Sequence, residues 1–307
     1  MPEEQLGSRV TVSHRPGMKW FTKTARGLDE DHTLLKREFQ ATVAASETFD
    51  DRGNPVALPK ATLGNGYLTM ETPDRFESPF KSLLSKEIPD EWTNYVRKIG
   101  EKLSALHSAN VPFDANPEMP VLYPIPISMF HLVSEGALWT LEKLPTSFHE
   151  AAALQIEQLD LLPKVFIHGD LSIDNILTDD QQAVFIDWEL AGMGSGLHDL
   201  ASLMASFTSL RLKAQIVHHQ SWTTGPAEIV RELTDFCSTL LQSYRILDGA
   251  YCGDTLMRLV SLKLLTRAQA MAAASISQSA MATLLLQLSM NLTANAKSIS
   301  ESLVPHV

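Results

Sequence analysis

Between Lys164 and Asp187 a short stretch of β-type sequence interrupts a chain that is patterned for helices on either side. Val165-Phe166-Ile167 is an apolar run, a polar loop follows, and Ile176-Leu177 is apolar again. Asp179-Asp180-Gln181-Gln182 supplies turn chemistry before Ala183 to Ile186 closes the pattern. This order predicts a loop followed by a small hairpin. Such a hairpin brings the loop that begins at His168 and the strand end at Asp187 to one edge. Asp170, Asn175 and Asp187, distant in sequence, then converge.

The rest of the chain divides into two unequal parts. Arg9 to His14 alternates, Arg15-Pro16-Gly17 reads as a turn, and Lys19 to Ala25 is a second β-rich run, so a hairpin is expected. Asp29-Glu30-Asp31 then precedes Leu34, Leu35, Phe39 and Val43 at helical spacing, an acidic start that suits a helix N-terminus. Extended segments follow at Val56 to Thr62 and Gly66 to Glu71, and Thr72-Pro73-Asp74 breaks the pattern. We therefore place a lobe boundary there, with residues 1–71 as the smaller unit and 72–307 as the larger. Asp90 to Ser108 repeats Trp92, Val96, Ile99, Leu103 and Leu106 at helical spacing. Val111 to Pro126 reads as a loop, 127–144 and 147–162 as helices, and the region from Pro226 onward as several more. The fold class is α+β.

Composition narrows the function. The chain has 307 residues, 44% hydrophobic, with a net charge of −11 and no run of Lys or Arg. That balance opposes binding to nucleic acid or to an anionic membrane surface, and mildly favours cationic small molecules. Residues Ala268 to Ala296 carry no charge, but Gln269, Ser275, Gln278, Gln287, Asn291 and Asn295 are costly in hydrocarbon, so a packed helix or helical pair is expected and not a membrane span. Cys237 and Cys252 form no metal-binding or disulfide pattern. The N-terminus, Met-Pro-Glu-Glu-Gln, lacks a basic region followed by an apolar run, which makes the expected location cytoplasmic.

Asp170, Asn175 and Asp187 are hard oxygen donors of the kind that suits magnesium completed by phosphate oxygens. Phosphoryl transfer asks a protein mainly to align the reacting oxygens and neutralise phosphate charge. Asp and Asn also favour turns for local hydrogen-bonding reasons. The ordered set, and no single residue, carries the reading.

That set bears a resemblance. His168-Gly169-Asp170-Leu171-Ser172-Ile173-Asp174-Asn175-Ile176-Leu177 resembles the catalytic loop of the aminoglycoside phosphotransferase and choline kinase family, and Ile186-Asp187-Trp188-Glu189 resembles its metal-binding segment. His198-Asp199-Leu200-Ala201 and the helix from Ile99 to His107 are similar to further family segments. The resemblance implies a protein-kinase-like two-lobe fold, with a small antiparallel-sheet N-lobe and a larger, mainly helical C-lobe. It further implies an ATP-dependent enzyme, with GTP as the alternative nucleotide. The phosphoryl group would go to a hydroxyl of a small molecule such as an amino sugar or amino alcohol. By the same resemblance Asp170 is the catalytic carboxylate, Asn175 and Asp187 hold magnesium, Lys23 meets the nucleotide phosphates, Glu38 is its ion-pair partner, and Met70-Glu71 is the hinge that reads adenine. His168 and Asp199 would support the loop, and Asp174 and Glu189 are candidate substrate contacts.

Two departures stand out. Ser172-Ile173-Asp174 replaces the filler often written His-Pro-Gly, adding a carboxylate that could cap the turn or bind a cationic acceptor. No G-x-G-x-x-G is present, so a phosphate-covering loop would come from Arg15-Pro16-Gly17 or be missing. Competing readings are a kinase-fold binding or scaffold protein without transfer activity, and a kinase that acts on a peptide Ser or Thr.

Overall fold

The alternating run Val10–Arg15 (β2) and the β-rich Met18–Thr24 (β3) pair antiparallel across the Pro16-Gly17 turn, where Gly17 has a φ of 78° that costs a residue without Cβ nothing. In this computed structural model the described residues are 3–6, 10–24, 29–50, 53–57, 60–84, 91–113, 134–152, 162–179, 181–218, 226–244, 253–274 and 280–303. A strand not anticipated from sequence, Glu3–Leu6 (β1), pairs with β2, and Lys60–Gly64 (β4) pairs with Tyr67–Pro73 (β5). The antiparallel sheet has the order β1-β2-β3-β5-β4. The residues that link β1 to β2, 7–9, lie outside the described residues, and the Arg15-Pro16-Gly17 turn joins β2 to β3. Helix Asp29–Ser46 (α1), with its acidic first turn, lies against β4 and β5.

Strand β5 runs through Met70 and Glu71 to Pro73, so these two residues sit inside the sheet and not at its exit. Met70 is buried with Phe76, Leu177 and Val184, and Glu71 pairs with Lys60 at 3.4 Å. The chain leaves the sheet at Asp74 to Phe76, where the Lys19 ammonium donates to the Asp74 carbonyl at 2.8 Å and the Phe76 carbonyl at 3.1 Å. Arg75 then pairs with Asp179 at 2.6 Å, which fastens this exit to the hairpin turn beyond.

The remainder is helical: Phe80–Leu83 (α2), Trp92–Ser108 (α3), Glu135–Glu142 (α4), residues 146–152 (α5), Leu197–His218 (α6), Pro226–Ser243 (α7), Gly253–Ala274 (α8), Ala280–Ala294 (α9) and Ala296–Leu303 (α10). The expected helices over 127–144 and 147–162 are seen in part as α4 and α5, with 134, 143, 144 and 162 outside any helix; residues 127–133 and 153–161 of those spans, and 114–126 of the expected loop, lie outside the described residues. Trp92 of α3 stacks on Phe207 of α6 at 5.7 Å and on Phe236 of α7 at 6.2 Å, one cluster tying three helices together. Buried aromatics of this kind contribute about 0.5–1.5 kcal/mol per pair beyond their area. The uncharged stretch forms the expected packed pair, α8 against α9, with the Ser261 hydroxyl donating to the Ser289 carbonyl at 2.7 Å. Among the described residues no helix is long and apolar enough to cross a membrane.

Candidate active site

The β-type island folds as its pattern predicts. Val165–Ile167 (β6) pairs antiparallel with Gly192–Gly194 (β9), and Ile176–Thr178 (β7) pairs with Ala183–Phe185 (β8) across a short turn. The loop from His168 to Asn175 ends in a 3-10 turn at Ile173–Asn175. Register sets Ile176 opposite Phe185, and the Ile186 amide donates to the Asn175 carbonyl at 3.0 Å. Asn175 and Asp187 therefore share the hairpin edge that the sequence predicted.

Asp199, in the first turn of α6, holds the loop. Its two carboxylate oxygens accept from the His168 amide at 2.7 Å, the Gly169 amide at 2.9 Å and His107 Nε2 at 3.1 Å. His107 is fixed in turn by the Tyr244 hydroxyl at 2.7 Å. Burial acts against the Asp199 carboxylate, but the His107 hydrogen bond and the charges and amides around it outweigh that and hold its pKa below the usual range. Gly169 has a φ of 85°, and a Cβ there would collide with the Leu190 carbonyl, so the loop's entry accepts glycine alone. His168 is buried and reaches the Ile186 carbonyl at 2.8 Å through Nε2, which links the loop to the hairpin end. Trp188 is a packing residue, stacked on Phe166 at 5.8 Å.

With its backbone fixed, the loop presents the Asp170 side chain to solvent. The Asn175 amide nitrogen donates to the Asp170 carbonyl at 2.9 Å, leaving the Asn175 side-chain oxygen as a donor for a cation.

Lys23, buried on β3, is the hub of the opposite wall. Its ammonium lies 3.0 Å from Glu38 on α1, 2.7 Å from Asp187 and 2.7 Å from Glu189. Burial alone would lower the Lys23 pKa, but Glu38 and Asp187 keep it above the ordinary lysine value. Burial raises the Glu38 carboxyl to about 7, with Lys23 opposing. Oxygens of Glu38, Asp187 and Glu189 lie within 4.8 Å of one another. Asp187 has a φ of 64°, the one non-glycine residue with positive φ among those described, and a conformation that Asp tolerates better than most. Hard carboxylates, two of them with half-exposed side chains, together with the Asn175 side-chain oxygen fit a magnesium ion that keeps part of its water shell.

Of the residues singled out from sequence, Lys23, Glu38, Asp187 and Glu189 meet in one cluster, and His168, Asp170, Asn175 and Asp199 are linked through the loop. Glu189, expected toward the acceptor, is engaged by Lys23. Met70 and Glu71 lie apart, in mid-strand. Asp174 is at the surface. Partial desolvation raises its carboxyl pKa, while Arg267 and Lys213 pull it down. Sequence reasoning did not single out Lys213, Lys263 or Arg267; the four-residue spacing of Lys263 and Arg267 puts them on one helix face without saying what that face meets.

The model of the phosphotransferase enzyme family matches residues 76–229, half of the chain. Choline kinase LicA from Streptococcus pneumoniae shares the fold with a TM-score of 0.52 at 14% identity, over 96% of this chain and 94% of that one. LicA in complex with AMP gives a TM-score of 0.53 at 14% identity, over 96% and 92%. Choline kinase from Cryptosporidium parvum Iowa II gives 0.54 at 14% identity, over 99% and 91%. No curated protein matches the sequence. At these identities the structural likeness shows the kinase-like fold. Together with the family match, it follows that this chain belongs to the phosphotransferase enzyme family.

Proposed function

We propose that the protein transfers the γ-phosphoryl group of ATP to a hydroxyl of a small molecule, with residues 1–71 gripping the nucleotide and 72–307 supplying the catalytic loop and the acceptor site. The observation that carries this reading is the pairing of two arrangements. Lys23 is held by Glu38 beneath the carboxylates of Asp187 and Glu189, and Asp199 fixes a loop that leaves Asp170 open to solvent.

Each residue then has a defined task. Asp170 orients the acceptor hydroxyl and takes its proton as the oxygen bonds to phosphorus and the bond to the leaving ADP oxygen breaks. Lys23 meets the phosphates with a charge that its buried neighbours keep in place. Asn175 and Asp187 are the residues that would hold magnesium, which supplies neutralisation of the phosphate charge. Asp199 and His168 keep the loop in register with the hairpin. Choline kinases with the same fold support a small hydroxyl-bearing acceptor over a peptide.

The test is magnesium-dependent ATP turnover against a panel of amino alcohols, sugars, hydroxy acids and nucleosides. Asp170→Ala is expected to lower turnover by about 10²–10⁴-fold with the melting temperature unchanged. Turnover equal to wild type in that variant would remove the assigned mechanism. Absence of both turnover and thermal stabilisation by MgATP would favour the non-catalytic reading.

A further inference from the structure

Helix α8 packs against α6 and carries Lys263 and Arg267 one turn apart, so both cations project from the same face. Helix α6, on which α8 packs, is also the helix that holds the catalytic loop, through Asp199 and through Ser206, whose hydroxyl accepts from the Ile173 amide at 3.1 Å. Lys263 lies in the field of Asp170 and Asp199, Arg267 in the field of Asp170 and Asp174, and Lys213 of α6 in the field of Asp174. Two helices thus bring three cations around two loop carboxylates, because Asp199 is already engaged by His107 and two amides. Among the described residues neither Lys263 nor Arg267 closes a direct ion pair, and both are partly buried. Burial lowers the pKa of each, a sign that the fold bears a cost for keeping them charged.

A second, independent feature sits beside them. His198 Nδ1 is buried without a hydrogen-bond partner. Burial and the nearby Lys263 charge push the His198 pKa down to about 3, so the ring is a neutral hydrogen-bonding group beside the cations. Nothing in the packing of α8 requires the pair: its leucines and the Ser261 to Ser289 contact hold it in place. Cations that are partly buried, adjacent and without direct counter-ions are the signature of a surface whose counter-ion is a ligand.

Resting on the phosphotransferase reading, we infer that the acceptor carries an anionic group, a carboxylate or a phosphate monoester, bound by Lys263 and Arg267 while its hydroxyl meets Asp170. Arg267 and Lys213 both act on Asp174 as favourable charges, which weighs against its use by a cationic acceptor. An amino alcohol or amino sugar with no acidic group would approach like charges. The transfer itself is unchanged: the hydroxyl oxygen bonds to phosphorus, ADP departs, and the proton passes to Asp170.

The experiment is calorimetric titration of the full chain, with MgADP present, using glycerate, glycerol 3-phosphate, glycerol and ethanolamine as matched probes. At least one anionic probe is expected to bind about tenfold or more tightly than glycerol and ethanolamine, and the carboxylate and phosphate arms identify which anion is preferred. Arg267→Gln and Lys263→Met should each weaken that binding by about tenfold, the effect of one charge-assisted contact, with MgADP affinity retained. Their melting temperatures should equal or exceed wild type, because a cation held for a ligand stabilises nothing in its absence; a structural role would lower them. No preference among the probes, a preference for ethanolamine, or an anion preference that survives both substitutions overturns the inference. Loss of MgADP binding in the wild-type chain instead overturns the phosphotransferase reading on which it rests.

Discussion

The two walls of the site are electrostatic opposites. On the sheet side one buried lysine faces the carboxylates of Glu38, Asp187 and Glu189, an excess of negative charge. On the helical side Lys263 and Arg267 act on Asp170, and Arg267 and Lys213 on Asp174, three cations to two carboxylates. The difference follows from what each wall would hold. Carboxylate excess around a lysine accommodates a divalent cation with its polyphosphate, while cation excess accommodates an acid. Asp199 stands at the boundary and is balanced locally, so it can serve as a joint without favouring either side.

The sharpest way to break the contrast is to remove the joint. Asp199→Ala strands two amides and His107 in the interior and is expected to lower stability by about 3–5 kcal/mol, read by urea denaturation. A loss below about 1 kcal/mol would mean that the loop is held by other contacts.

Lys23→Met comes next and isolates the sheet side. Turnover should fall by about 100-fold or more, and stability by about 2 kcal/mol at pH 8, because Glu38 then sits buried without its cation. The pH dependence has a definite sign. Glu38 has its folded pKa raised to about 7 from an ordinary 4.5, so the folded state binds the proton more tightly than the unfolded one. Its contribution is most favourable below about pH 4.5 and declines as pH rises towards 7. Removing Lys23 should steepen that decline, so melts at pH 5.5 and pH 8 should diverge more in the variant than in wild type; parallel profiles would contradict the pairing.

Glu189→Gln is the mildest. Its side chain is 40% exposed, so screening should hold the stability change to about 0.5 kcal/mol or less. A larger loss would make Glu189 a structural partner of Lys23 as important as Glu38.

These contrasts were unequally legible. The helical-side loop was readable because its determinants are local: a glycine at a left-handed position, an Asn closing a tight turn, and apolar runs that set a hairpin register. Lys23 and Glu38 follow from the family resemblance, matched on a strand and the helix after it, and the structure brings them to 3.0 Å. Strand β1 escaped notice because Glu3-Glu4-Gln5 has little intrinsic β preference, and its strand state comes from pairing with β2. The extended segment expected over Gly66 to Glu71 continues to Pro73, because alternation marks a strand's existence better than its end. Lys263 and Arg267 were invisible for a different reason. Their meaning lies in which face of α8 meets α6, a tertiary fact that spacing along one helix cannot supply.

Asp187 carries a consequence of another kind. Its left-handed backbone is a conformation in which glycine would rest more comfortably, and side chains held there cost about 1 kcal/mol or more. Asp187→Gly relieves the bend but also takes a 2.7 Å partner from buried Lys23, so backbone relief and ion-pair loss oppose each other at one residue, and Asp187→Asn, which keeps the bend and removes only the charge, separates the two.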